Sequence, residues 1–507
     1  MPKKRSFFDR LLNGVERAGN ALPHPATLFL IFALLALFFS WFAHILGFQA
    51  TNPATGELVQ VNNLLDKEGI HRILLDMVKN FTDFAPLGIV LVAMLGIGIA
   101  EGSGLISALI RLLVLSSPKK LLTFVLVLSG VISNLASDIG YVLLIPLAGT
   151  IFLSIGRHPI IGMAAAFAGV SGGFSANLLL GTIDPLLAGL SQEAARIIDP
   201  EYSVNPTANY YFMFVSTFMV AGAGTWVTER VVAPRLGEYD GDVPQEKIEP
   251  LSKAEKIGLR YATIVSLLIT AILVIGLVPE NGLLRGMDGG LLTSPVIKGI
   301  VALLFLFAGS AGIAYGVAVK KYKNDSDVMK GMADNMKTLA TYIVLVFFAA
   351  QFVAYFKWSN LGLIIAIKGA EGLSASGLGL IPLMILFILL AASLNMLMGS
   401  ASAKWALLAP IFIPMFMLMG YSPELSQVVY RIGDSVTNII SPMMSFFALI
   451  IAFVQKYDRN AGIGTIIATM LPYSIVFFIA WTIMLIIWIS LGIPIGPGAG
   501  IHYELAP

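Results

Sequence analysis

Residues 141–159, YVLLIPLAGTIFLSIGRHP, align without gaps on residues 405–423, WALLAPIFIPMFMLMGYSP. Leu143, Leu144, Pro146, Phe152, Gly156 and Pro159 recur as Leu407, Leu408, Pro410, Phe416, Gly420 and Pro423. Leucine-rich segments align easily, but here proline, glycine and neighbouring polar clusters keep the same register. Each copy closes an apolar block with a polar interruption. These read LSGVISNLASDIGYVLLIPL within 121–156 and AASLNMLMGSASAKWALLAP within 378–419. Upstream, GLISA at 104–108 is echoed by GLIIA at 362–366; downstream, each copy leads into a run that breaks at small polar residues, GVSGGFSANLLLGTID and RIGDSVTNIISP. The duplication predicts one structural unit used twice, an interrupted hairpin followed by a broken helix.

Composition supplies the setting. The 507-residue chain is 57% hydrophobic and 12% charged, with a mean hydropathy of +0.85. Soluble domains keep about a quarter of their residues charged, so this chain is expected to be a polytopic, all-α membrane protein in contact with lipid. Hydropathy places spans near 26–48, 83–101, 159–181, 210–228, 259–279, 296–319, 338–356, 424–455 and 463–493. The first is read as a retained span and not a cleaved signal peptide, because no small-residue cleavage pattern follows it. Cysteine is absent, and the five histidines fall at helix ends, loops or tails, which argues against thiolate, zinc or haem chemistry. The net charge of +2 carries no nucleic-acid signature, and no P-loop occurs. G-x-S-x-G at 169–173 formally admits a serine protease, but no base is placed to activate Ser171.

Non-helical backbone at membrane depth is tolerated where protein or a watery cavity covers it. Blocks 121–156 and 378–419 therefore read as re-entrant hairpins. The positive-inside rule agrees: Lys3, Lys4 and Arg5 set the amino terminus in the cytoplasm, and Lys119, Lys120 and Arg157 then fall on that same side. Arg230, Arg235, Lys247, Lys320, Lys321, Lys456 and Arg459 follow suit, which leaves the carboxyl terminus outside. Nine spans and two hairpins satisfy the charges; counting each hairpin as two full spans preserves parity as well. An odd number of crossings between the copies makes the repeat inverted, and two tips entering from opposite faces meet around one site. Broken helices in inverted repeats belong to secondary transporters.

Several residues stand out against that frame. Arg431 and Asp434, three apart on one helix face, are expected to neutralise each other within the membrane before the chain unwinds at Thr437, Asn438, Ser441 and Pro442. In the first hairpin, Ser137 and Asp138 suit either an N-cap or ion coupling, with Asn134 beside them. Asn395 occupies the comparable point of the second hairpin, where Ser400 and Ser402 either cap the returning arm or bind substrate. Asp184 is either functional or part of an Asp-Pro turn, and Asn177 sits in the first helix break. Trp405 is either an interfacial anchor or a platform for an aromatic ring.

SSPKKLL with SNLASDIG, GRHPIIGMAAAFAGVSGGFSANLLLGTIDPLLAG, GSASAKWALLAPIFIPMFMLMGYSPE and YRIGDS together resemble the p-aminobenzoyl-glutamate transporter (AbgT) family of bacterial inner-membrane proteins. The likeness runs essentially end to end, from PHPATLF through NLLDKEGIHRIL in the first outer loop to GIPIGPG. It implies homodimers of nine-span subunits with two opposed hairpins. Scaffold regions at 1–82 and 210–337 would flank core repeats at 83–209 and 338–461, with 462–507 closing the chain. It further implies import of p-aminobenzoyl-glutamate or efflux of sulfonamide antimetabolites. The family's functional residues fall on Asp184, Trp405, Arg431, Asp434 and Pro442, and its sodium site on Asn395 and Asp434. SNLASD departs from relatives that carry a second serine or a histidine near Asn134. On this reading a sodium ion or proton drives transport of an aromatic carboxylate; an ion-coupled dicarboxylate carrier, a channel and a membrane enzyme are the competing classes.

Overall fold

The computed structural model describes residues 23–51, 56–135, 140–241, 243, 250–291 and 293–504. Among them, eight helices are long and apolar enough to cross a membrane: Pro25–Ile45, Lys67–Ser103, Tyr210–Leu236, Lys253–Leu277, Ile300–Ala318, Ala340–Trp358, Ala401–Leu418 and Ile463–Ser490. All but Ala401–Leu418 coincide with expected spans. Several start on polar caps, such as the reciprocal Ser252–Glu255 box that opens Lys253–Leu277. Leu267, Ile272 and Ile275 on that helix, and Ile479 and Ile483 on the last, are exposed. Aliphatic faces of that kind are stable against hydrocarbon and costly against water.

Three features depart from the hydropathy reading. Gln49–Thr51 pairs antiparallel with Leu58–Gln60, a small exception to the all-α class. The expected outer loop holds an amphipathic helix, Lys67–Thr82, whose first turn is capped by Asp66 accepting the Gly69 N–H at 2.7 Å. Asp325–Thr338 and Leu361–Ala375 are further helices that no expected span covers. Lys67–Thr82 and Asp325–Thr338 mix charged and apolar faces, which average out in a hydropathy window; Leu361–Ala375 is apolar but, at 15 residues, short of a span.

The two interrupted blocks fold as short arms. Block 121–156 becomes Leu122–Ser133 and, after a π turn at Gly140–Leu144, Ile145–Ser154. At about 1.5 Å per residue neither arm reaches the roughly 30 Å of a bilayer core. The block leaves and returns to one place. Thr123 Oγ1 donates to Glu229 Oε1 at 2.6 Å, while Arg157 clamps the same carboxylate through Nη1 and Nη2 at 2.9 and 2.8 Å. Block 378–419 becomes Leu380–Asn395 and Ala401–Leu418. The second of these arms is longer than expected, but 72% of it is buried in protein.

The helix Tyr210–Val227 shows how the repeats are oriented. Beyond one end lies Glu229, against which the first broken helix starts at Pro159. At the other end Asn209 Nδ2 donates to the Glu424 carbonyl at 3.0 Å, where the second broken helix starts at Pro423. The two broken helices therefore run in opposite senses. The first is Pro159–Phe167 extended by a π turn through Gly172, and the second Pro423–Asn438, resuming at Phe447–Gln455.

The ungapped register continues beyond the matched segments and sets Gly169 opposite Gly433. Both are crossing points. A Cβ on Gly169 would lie 2.2 Å from the Val127 carbonyl oxygen, and one on Gly433 would lie 2.5 Å from that of Ile388. In each half the entering arm of the block thus packs backbone to backbone on its broken helix, and only glycine allows that approach.

Candidate functional site

The two entering arms end on asparagines that make the same bond. Asn134 Nδ2 donates to the Val170 carbonyl at 3.0 Å, and Asn395 Nδ2 donates to the Asp434 carbonyl at 2.8 Å; Val170 and Asp434 are opposite each other in the repeat register. Each amide thereby fastens a tip to the end of a broken helix, at the π turn in the first half and near the last turn before Asn438 in the second. Asn395 also reaches Thr437 Oγ1 and Asn438 Oδ1, which points its own Oδ1 away from the helix. Ser441 Oγ donates to the Asn395 carbonyl at 2.9 Å, tying the tip to the break itself. Gly399 completes the contact, since a Cβ there would sit 2.2 Å from the Met443 carbonyl oxygen.

The charges do not pair as their spacing suggests. Arg431 and Asp434 form no ion pair with each other. Arg431 Nη1 instead lies 2.7 Å from Asp184 Oδ1, and its Nη2 donates to the Ser175 carbonyl at 3.0 Å. Asp184 also accepts the Gly181 N–H at 2.7 Å; Asp184 and Pro185 form no separate turn but lie in the first turn of the helix Ile183–Ala195, which follows the first break. Arg431 and Asp184 are 1% and 5% exposed. They join the second broken helix to the first across the centre of the molecule, beside a bond from the Ser175 N–H to Ser435 Oγ at 3.2 Å. Arg431 Nε has no hydrogen-bond partner among the described residues. The i, i+3 spacing places two charges on one helix face, but a partner from another element approaches more directly.

Asp434 takes a different cation, one that sequence reasoning passed over. Lys404 Nζ bonds to Asp434 Oδ1 and to Asn395 Oδ1. Lys404 and Asp434 are each 1% exposed. The signal was present: Lys404 is a charge inside the apolar run that follows the second tip, and no interfacial position was available to it. Ser400 sets its location by capping Ala401–Leu418 through the Ala403 N–H at 3.3 Å, with Ser402 Oγ 3.2 Å away. A free sodium ion at Asn395 and Asp434 does not fit this arrangement, because an ammonium already holds one oxygen of each.

Trp405 is neither an interfacial anchor nor an open platform. It is fully buried, stacked on Tyr430 at 4.5 Å, with its indole N–H donating to Ser191 Oγ at 2.9 Å. Ser191 continues through Gln427 to Asn209, a polar line inside the protein. Asn177 is buried and turned on its own chain, accepting the Leu178 N–H at 3.0 Å. Asn438 Nδ2 donates to Asp434 Oδ2 at 3.3 Å. Pro442 lies in the break between Asn438 and Phe447, as its missing donor predicts. Ser137 and Asp138 fall outside the described residues.

A cavity of about 110 Å³ lies where the parts converge, lined by Tyr141, Phe174, Gly399, Ala401, Asn438 and Phe446 among others. Tyr141 stacks on Phe446 at 4.6 Å along its wall. Both tips and both broken helices contribute to this small space.

Residues 10–503 match the AbgT transporter family model. The chain is 40% identical over 490 residues to the p-aminobenzoyl-glutamate transport protein of Escherichia coli (strain K12), covering 96% of each. It superposes on the crystal structure of the Alcanivorax borkumensis YdaH transporter, described as having an unusual topology. The TM-score is 0.90 and the identity 46%, covering 94% of this chain and 100% of that one. The Neisseria gonorrhoeae MtrF structure, described as illuminating a class of antimetabolite efflux pumps, gives a TM-score of 0.92 at 52% identity, covering 97% of this chain and all of that one, 100%.

Proposed function

The chain belongs to the AbgT transporter family, and on that premise we propose an ion-coupled secondary transporter in the bacterial inner membrane. Its substrates are p-aminobenzoyl-glutamate and related aromatic carboxylates or sulfonamide antimetabolites, carried inward or as efflux. The observation that carries this reading is the buried Arg431–Asp184 pair, which joins the two broken helices while leaving the Arg431 Nε donor free. A carboxylate that reached Arg431 would compete with Asp184 and meet a planar set of donors suited to bidentate binding.

The remaining assignments carry the sequence reading and the family resemblance forward as part of this proposal. Ser400, Ser402, Asn177 and Pro442 flank the tips and breaks and contact substrate; Trp405 meets an aromatic ring once its stack on Tyr430 opens. Pockets for drug-sized ligands measure roughly 300–1,000 Å³; the cavity of about 110 Å³ is smaller and is not lined by Arg431 or Asp184, so on this reading the tips separate to admit substrate to the ion pair. Asn134, Asn438, Asp434, Ser137 and Asp138 belong to the coupling machinery, with sodium or a proton as the coupling ion. Nine crossings and two re-entrant tips, a cytoplasmic amino terminus, a periplasmic carboxyl terminus and a homodimer complete the proposal.

The test is flux of radiolabelled p-aminobenzoyl-glutamate in proteoliposomes under separately imposed sodium and proton gradients. Saturable flux driven by one gradient and unaffected by excess succinate supports the proposal. Indifference to both gradients, or competition by succinate with no uptake of the aryl substrate, overturns it.

A further inference from the structure

We propose that Lys404 is a tethered cation: its ammonium occupies the second tip in place of a free alkali ion, and a free ion binds there only when that side chain is removed. The proposal deepens the transporter reading by naming what holds the cation position. It stands on binding rather than flux.

The oxygens that would hold a monovalent cation are already arranged. Asn395 directs Nδ2 at Asp434, Thr437 and Asn438, which leaves Oδ1 facing Lys404. The amide's orientation is thus fixed by its donors. Asp434 divides its carboxylate, with Oδ1 on Lys404 and Oδ2 on Asn438. One carboxylate and one ammonium cancel. A second cation at the same oxygens would leave a net positive charge with almost no solvent access, a strongly disfavoured state.

Lys404 lies in the first turn of Ala401–Leu418. A positive charge there opposes the helix dipole, so the dipole does not explain it. The nearby charged pair, Arg431 with Asp184, is already matched and leaves Asp434 to Lys404. The first half is built differently. The position opposite Lys404 in the repeat register is Gly140, where even a Cβ would lie 2.1 Å from Ser133 Oγ.

The test is equilibrium binding of radioactive sodium to the purified full chain in detergent, in choline buffer, with size exclusion reporting dispersity. The wild type is expected to show no saturable sodium binding that Asn395→Ala abolishes. Lys404→Ala is expected to gain saturable binding about tenfold or more tighter than any seen in the wild type. Lys404→Ala combined with Asp434→Asn is expected to lose it. Lys404→Gln serves the same comparison where Lys404→Ala is not monodisperse. Sodium binding to the wild type that Asn395→Ala removes overturns the proposal, as does a monodisperse Lys404 variant with no gain. Absence of flux in vesicles defeats the transporter reading and leaves this binding result standing.

Discussion

The two halves share a backbone plan and differ in charge. In each, an entering arm crosses its broken helix at a glycine, and a tip asparagine donates to the carbonyl of an equivalent residue. Yet Lys404, Arg431 and Asp434, three of the buried charged residues of the second half, stand opposite Gly140, Phe167 and Val170 in the first. The first half contributes Asp184 from beyond its break, and that carboxylate is what Arg431 binds. Shared geometry therefore builds the crossing points, while unshared chemistry makes one asymmetric polar centre. Asn134 Oδ1 has no hydrogen-bond partner among the described residues, whereas Asn395 Oδ1 faces a lysine.

The largest expected effect comes from breaking that asymmetry. Lys404→Met leaves Asp434 buried without its counter-charge and is expected to destabilise the protein by about 3–5 kcal/mol, read by thermal unfolding in detergent. Adding Asp434→Asn is expected to recover part of the loss; an unchanged melting temperature in Lys404→Met would break the comparison. The glycine pair sharpens its other side. Gly169→Ala and Gly433→Ala each force a Cβ onto a carbonyl and are expected to cost similar amounts, about 1–3 kcal/mol. A tolerated change at one of them would mean the crossings are not equivalent.

Effects of comparable or smaller size separate the tips. Asn395→Ala removes a partner of Lys404 as well as the shared carbonyl bond, so it is expected to cost about 2–3 kcal/mol, against about 1 kcal/mol for Asn134→Ala. Equal losses would say that the lysine contact adds nothing. Ser400→Ala removes only a cap and is expected to cost about 1 kcal/mol.

The membrane class, the duplication and both helix breaks were legible because each leaves a long pattern: apolar runs, a repeated Pro–Gly register, and Gly, Ser, Asn or Pro where helices stop. The pairing of charges was not. Arg431 and Asp434 are neighbours in sequence, but their partners, Asp184 and Lys404, come from other elements. Spacing along one helix says nothing about what the opposing helix presents. Trp405 stands out in the sequence as a tryptophan beside the second tip, while its burial against Tyr430 depends on packing between two helices. Lys67–Thr82 went unseen because its charges mask a helical period from a hydropathy window.

The ion pair linking the two halves is proposed as the substrate-binding centre. Its most direct test is p-aminobenzoyl-glutamate flux in proteoliposomes containing Arg431→Ala or Asp184→Ala protein, each matched to the wild type for insertion and dispersity. Wild-type flux is expected to saturate, and both variants to fall to the level of empty vesicles. Saturable flux at wild-type rates in either variant would contradict it.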